Sequence, residues 1–158
     1  MRWGFNNINY STTMPGFKVV KSAKEASLEK LPTSSLTASV GDLLELTAGS
    51  TTWAKVTSSS DHFTRKAIVM EAATSASSIL CQEVYSQDGV VAESANNSNT
   101  AHNGDRMAFT DENTVNNSGS DVTGQAVGFV QDGTIGATTD KLIYGRILVG
   151  SGVDPDAA

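Results

Sequence analysis

Gly41-Asp42-Leu43-Leu44-Glu45-Leu46-Thr47 is answered 63 residues later by Gly104-Asp105-Arg106-Met107-Ala108-Phe109-Thr110. Each stretch is a Gly-Asp turn signal feeding a short apolar run, the signature of a strand entered from a tight turn. Ile79-Leu80-Cys81-Gln82-Glu83-Val84 is matched, again 63 residues on, by Leu142-Ile143-Tyr144-Gly145-Arg146-Ile147. Between them, Lys66-Ala67-Ile68-Val69-Met70-Glu71 answers to Gln125-Ala126-Val127-Gly128-Phe129-Val130-Gln131 at an offset of 59. The match lies in turns and apolar positions rather than identities. Changes of length that fall in loops while strands keep step are expected of a duplicated β unit.

The surrounding sequence supports a β reading. Leu43 to Leu46 is followed by a hairpin turn at Ala48-Gly49-Ser50-Thr51 and by Thr52-Trp53-Ala54-Lys55-Val56, which alternates as a half-buried strand does. Lys66–Met70, Ile79–Tyr85 and Gly89–Ala92 are the next strands. In the second unit Met107–Thr110 pairs with Thr114–Asn116 across Asp111-Glu112-Asn113. Ala126–Val130, Thr134–Gly136 and Leu142–Val149 complete the set. Short strands with Gly/Asp turns predict an all-β fold, a small barrel or sandwich built from two similar units. The organisation expected is an N-terminal arm and linker over 1–37, a first β unit over 38–92, a polar loop over 93–103, a second β unit over 104–149 and a tail over 150–158. Whether the units merge into one barrel or form two lobes stays open.

Composition bounds the function. The 158 residues form one domain by length, with 39 % apolar and 18 % charged residues. Ser, Thr, Asn, Gly and Ala fill the difference, which suits long polar loops on strands and not a helical bundle. A net charge of −6 argues against nucleic acid, which needs a basic face. Residues 1–30 carry five basic groups against two acidic ones, so the positive arm precedes a body of charge −9. The single Cys81 excludes an internal disulfide and reads as a buried thiol. No apolar segment follows Arg2, so no secretory signal is expected, and no run approaches the ~18 apolar residues of a membrane span.

The first 17 residues hold Trp3, Phe5, Tyr10 and Phe17 among Asn, Ser, Thr and Gly, with a Pro15-Gly16 turn signal. No regular period runs through these rings. The segment reads as an extended arm whose rings either pack on the chain's own body or anchor on another chain. Ser22–Leu31 fits a short helix capped at Ser22, with Glu25 three residues on and stopped by Pro32, or else a linker. Pro32-Thr33-Ser34-Ser35 reads as a loop.

No catalytic residue is predicted. Asp61-His62 superficially suggests triad material, but no Gly-x-Ser-x-Gly elbow exists, and adjacent strand side chains point to opposite faces. A polar loop tip is the simpler reading of Ser58–His62. Two scattered histidines without a cysteine pair give no zinc set. Asp111–Asp121 is rich in oxygen but lacks calcium-loop spacing. No metal and no cofactor are expected, and the chain is not expected to be an enzyme.

The runs Val40–Leu46, Thr52–Val56 and Ala67–Thr74, repeated from Gly104-Asp105 through Ala126–Gly133, resemble the head decoration (cement) proteins of tailed bacteriophages. The resemblance covers roughly residues 38–149, and the duplication departs from the single-domain members. It implies a β-tulip barrel on the exterior of an assembled capsid, made in the host cytoplasm, commonly as a homotrimer. Its implied partner is the major capsid protein, with no nucleic acid and no membrane. An extended arm would add a strand to an edge of the shell protein, with rings filling pockets. On that reading Arg2, Trp3, Phe5, Tyr10 and Phe17 are the capsid contacts. The alternative is a glycan- or receptor-binding module contacting its ligand through the polar loops Thr57–Asp61, Ser94–Asn103 and Asn113–Asp121. A hydrolase using Asp61 and His62, and a tail component forming rings or tubes, are further classes.

Overall fold

A computed structural model describes residues 16–22, 24–25, 27–119 and 126–149. The chain is almost all β and builds two sheets. The first contains β2 (Leu28–Ala38), β3 (Leu43–Leu46), β4 (Ala54–Lys55), β5 (Arg65–Val69) and β6 (Ala73–Val84), in the order β2-β6-β5-β3-β4. It curls into a half-barrel. A bridge between Thr33 and Trp53 ties its two ends. The second contains β7 (Gly89–Ser94), β8 (Arg106–Met107), β9 (Phe109–Asp111), β10 (Thr114–Val115), β11 (Phe129–Ile135) and β12 (Leu142–Ile147), in the order β8-β11-β12-β7-β10-β9. β8 and β9 are halves of one run broken at Ala108, so this sheet is a nearly closed barrel. A short β1 (Lys18–Lys21) lies antiparallel on β7.

The two units repeat one plan. β2-β6-β5-β3 in the first sheet has the same antiparallel order as β7-β12-β11-β8 in the second. The Gly-Asp turns fix the correspondence. Gly41 (φ 93°) donates its N–H to Val69 O at 2.9 Å, and Val69 donates back to Asp42 O at 2.9 Å. Gly104 (φ 90°) donates to Gln131 O at 2.7 Å, and Gln131 donates back to Asp105 O at 3.2 Å. Such positive φ angles favour glycine.

The units share a core. Leu43, Val56, Ile68 and Val84 of the first sheet pack with Val90, Phe109, Phe129, Ile143 and Ile147 of the second. The opposite face of the first sheet has its own core of Leu31, Leu44, Trp53, Ala67, Ile79 and Cys81. The two repeats are thus fused across one interior, with a second, smaller core inside the half-barrel.

Three expectations change. The described residues of Ser22–Leu31 contain no helix, and from Leu28 the chain is strand. Pro32-Thr33-Ser34-Ser35 is not a loop but the middle of β2, so 28–37 belongs to the first sheet rather than to a linker. β7, expected to end the first unit, lies in the second sheet.

Candidate functional site

The described base of the N-terminal arm is bolted into the body. Phe17 exposes 2 % of its surface and meets Phe109 edge to face, with ring centroids 5.7 Å apart. Its N–H donates to Gly41 O at 2.9 Å. Gly16 sits at φ 66°, and a Cβ there would come within 2.2 Å of Gly41 O, so only glycine fits. Phe17 therefore packs on its own body and presents no exposed ring. Arg2, Trp3, Phe5 and Tyr10, the other expected contacts, lie outside the described residues.

Beside this anchor runs an apolar groove of about 280 Å³. β1 supplies Val19, the Gly41 turn supplies Val40, and the end of β5 with the residue after it supplies Ile68, Val69 and Met70. Val40 is 47 % exposed and Met70 40 %. Sequence reasoning missed this groove, because Val40 and Met70 read as ordinary flanks of strands.

A second cluster, buried in the first unit, is polar. Glu45 and Lys66 are cross-strand partners on β3 and β5. Glu45 accepts from Ser60 Oγ at 2.9 Å and from Thr64 Oγ1 at 3.1 Å. Lys66 Nζ donates to Asp61 O at 2.8 Å, Thr64 O at 3.1 Å and Thr64 Oγ1 at 2.6 Å. Burial lowers the Lys66 amine to about 8, partly opposed by the negative charges of Glu45 and Asp61. An amine of that pKa has the basicity of a nucleophile, but the side chain is fully buried and committed to three acceptors. The cluster holds the 57–65 loop onto the sheet.

Asp61 and His62 do not form a catalytic pair. Asp61 Oδ1 accepts from the N–H groups of Phe63 and Thr64 at 2.9 and 3.2 Å. His62 is fully buried against Phe63, so its place is not the loop tip expected. Both its ring nitrogens lack a hydrogen-bond partner among the described residues. His102 Nδ1 lies 2.9 Å from Asp105 Oδ2. Cys81 is fully buried, and burial pushes its thiol up to about 12, which suppresses the reactive thiolate. Among the described residues no three His, Cys, Asp or Glu side chains converge as metal ligands. No helix among them is long and apolar enough to cross a membrane.

Of the polar loops, two are brought together. Asn117 Oδ1 accepts from Asn96 N–H at 2.8 Å, and its Nδ2 donates to Asn96 O and Asn97 O at 3.2 and 3.1 Å. The Thr57–Asp61 loop instead turns Ser60 inward to Glu45. Compared with protein-family profiles, curated proteins and solved structures, the chain matches none.

Proposed function

We propose that the chain is a virion structural protein that binds the exterior of an assembled phage capsid and stabilises it, with the major capsid protein as partner. The observation that carries this reading is the anchored base of the arm. An arm that grips a partner transmits force only if its root is fixed, and Phe17 buried against Phe109 with Gly16 locked on Gly41 is such a root. The all-β two-unit body matches the fold class that the decoration-protein resemblance implies. On this reading Arg2, Trp3, Phe5 and Tyr10 engage the shell, and Phe17 holds the arm to the body. Many copies on one shell add modest single-site affinities into large stabilisation, and a homotrimer on three-fold points serves that end.

The test is co-sedimentation with capsid shells of a candidate parent phage, comparing the full chain with one lacking residues 1–15. Saturable pelleting of the full chain alone supports an arm-dependent cement. If neither pellets while both stay folded, the capsid reading falls. The adjoining Asn96–Asn97 and Asn117 loops favour the second reading, a glycan-binding module. Retention on a glycan array that is lost on Asn97→Ala, with no capsid pelleting, would put that reading first.

A further inference from the structure

We propose that the cleft between Lys24, Arg65 and the Ser86–Gln87 turn binds an acidic sugar, with the sugar carboxylate held by the two cations. The cleft measures about 350 Å³ and lies where the first sheet, the connector from β6 to β7 and Val149 of the second unit meet. Junctions between structural units are common places for small-molecule sites, and the volume is in their range.

Its cations are held in place but not used up. Arg65 donates from Nε to Glu83 Oε2 at 3.0 Å and from Nη2 to Glu83 Oε1 at 2.6 Å. The same guanidinium lies 5.4 Å from the centre of the Trp53 ring. A guanidinium carries five N–H donors, and Glu83 takes only two, so a planar, fixed fork still has donors to offer. The Lys24 ammonium sits 4.5 Å over the Tyr85 ring and pairs with no carboxylate among the described residues. The ring positions that charge without neutralising it. Two cations against one carboxylate leave the cleft net positive on a chain of net charge −6. Glu25 and Glu29 line a separate, smaller cleft that shares Tyr85, so an anion is steered to the cationic side.

The remaining walls suit a sugar better than a bare anion. Ser86 and Gln87 are exposed at the tip of a tight turn. That turn is fixed twice, by Asp88 N–H on Tyr85 O at 2.9 Å and by Tyr85 N–H on Asp88 Oδ2 at 3.0 Å. A hydroxyl and an amide so placed can meet sugar hydroxyls at little cost in ordering. Val84 and Val149 give an apolar wall for the C–H face of the ring.

The inference does not depend on the capsid reading. The cleft also lies at the opposite end of β7 from the Asn96–Asn97 loop, so it is not the loop site of the second reading.

The test is an NMR titration of the full-length chain with glucuronate and, separately, N-acetylneuraminate, two sources of the same acid group. Glucose and acetate serve as the neutral sugar and the bare acid. Saturable shifts are expected for the Ser86 and Gln87 amides and the Val149 methyls with at least one acidic sugar, and the one that binds names the source. Lys24→Gln, at an exposed position, should keep the melting temperature and weaken binding about tenfold, the worth of one charge-assisted hydrogen bond. Asn97→Ala should leave binding unchanged. No saturable shift with either acid, an equal response to glucose, or undiminished binding in Lys24→Gln would overturn the proposal. So would an equal response to acetate, which would mean an adventitious ion only, or loss of binding in Asn97→Ala. Capsid sedimentation is scored separately, so either idea can fail alone.

Discussion

The two β units keep one strand order and fill it in opposite ways. Following the ladders outward from the Gly-Asp turns, Glu45 of the first unit stands where the second has Ala108, and Lys66 where it has Gly128. The first unit thus buries a carboxylate and an amine side by side. The second has room only for a ring, since a Cβ on Gly128 would come within 2.2 Å of Phe109 Cε2. The exchange recurs one residue along. Ala67 and Cys81 of the first unit correspond to Phe129 and Gly145 of the second, where the Phe129 ring lies against the glycine. Side-chain sizes differ at these corresponding positions while the strand register stays. The lesson is that backbone pairing keeps the register while side-chain size at matched positions is free to change.

The largest expected effect breaks this exchange directly. Phe129→Ala removes a fully buried ring from the shared core and should cost about 3–5 kcal/mol in denaturant unfolding. In the first unit, Ala67→Phe should destabilise by overpacking, and adding Cys81→Gly should restore at least about 0.5 kcal/mol of the loss. Purely additive costs would show that the two positions do not correspond.

The next effect concerns the buried amine. Lys66 is held near 8, against 10.5 for the ordinary side chain. Below pH 8 both folded and unfolded chains carry the charge, and folding bears its desolvation. Between about 8 and 10.5 the unfolded chain binds the extra proton, so the Lys66 contribution to stability rises with pH. Cys81 acts oppositely. Its thiol is raised from 9.0 to about 12, so its contribution is complete below 9 and is lost as pH climbs towards 12. Unfolding free energies of the parent minus those of Lys66→Met should therefore rise by up to about 3 kcal/mol from pH 8 to 10.5. A flat difference would mean that water reaches the amine.

A smaller effect is expected at His62, whose two ring nitrogens are buried without partners among the described residues. Apolar replacement of a buried, unsatisfied polar group removes its desolvation cost. His62→Leu should stabilise the chain by about 1 kcal/mol in thermal melts, and a loss of stability would reveal a hydrogen bond to ordered water.

The sequence carried the strands that begin at a Gly-Asp turn or alternate cleanly, and lost those set by distant partners. Leu28 and Leu31 stand at helical spacing behind a serviceable Ser22 cap, yet they lie in β2 because β6 offers Ile79–Gln82 as a pairing edge. Local propensity yields to such tertiary pairing. Pro32 looked like a stop, but its carbonyl accepts from Trp53 at 2.8 Å, and it needs no donor there. The repeat itself was legible, though its middle was misaligned. Matching Ala67 to Ala126 at offset 59 satisfied residue size, while the ladders make Ala67 the counterpart of Phe129, three residues further on. An odd slip exchanges the faces of a strand, and only hydrogen-bond register reveals it. At the candidate site, Pro15-Gly16 was visible as a turn signal, and Gly16 has the positive φ that such a signal expects. The groove was not, because Val40 and Met70 come together only through the fold.

The smallest effect sharpens the comparison at the surface, where each unit carries an arginine–carboxylate pair. Arg146 meets Asp132 through two contacts of 3.2 and 3.3 Å, with both side chains well exposed. Arg65 meets Glu83 at 3.0 and 2.6 Å, and its guanidinium also lies 5.4 Å from the centre of the Trp53 ring. A solvated pair gains little, because water screens the attraction and two long side chains must be ordered. Stacking on a ring adds a contribution that salt screens less. Double-mutant cycles should give below about 0.5 kcal/mol for Arg146–Asp132 and nearer 1 kcal/mol for Arg65–Glu83. Raising salt to 1 M should abolish the first coupling. It should leave Arg65→Ala still costly, because the guanidinium also lies over the buried Trp53 ring, a contact that salt screens less.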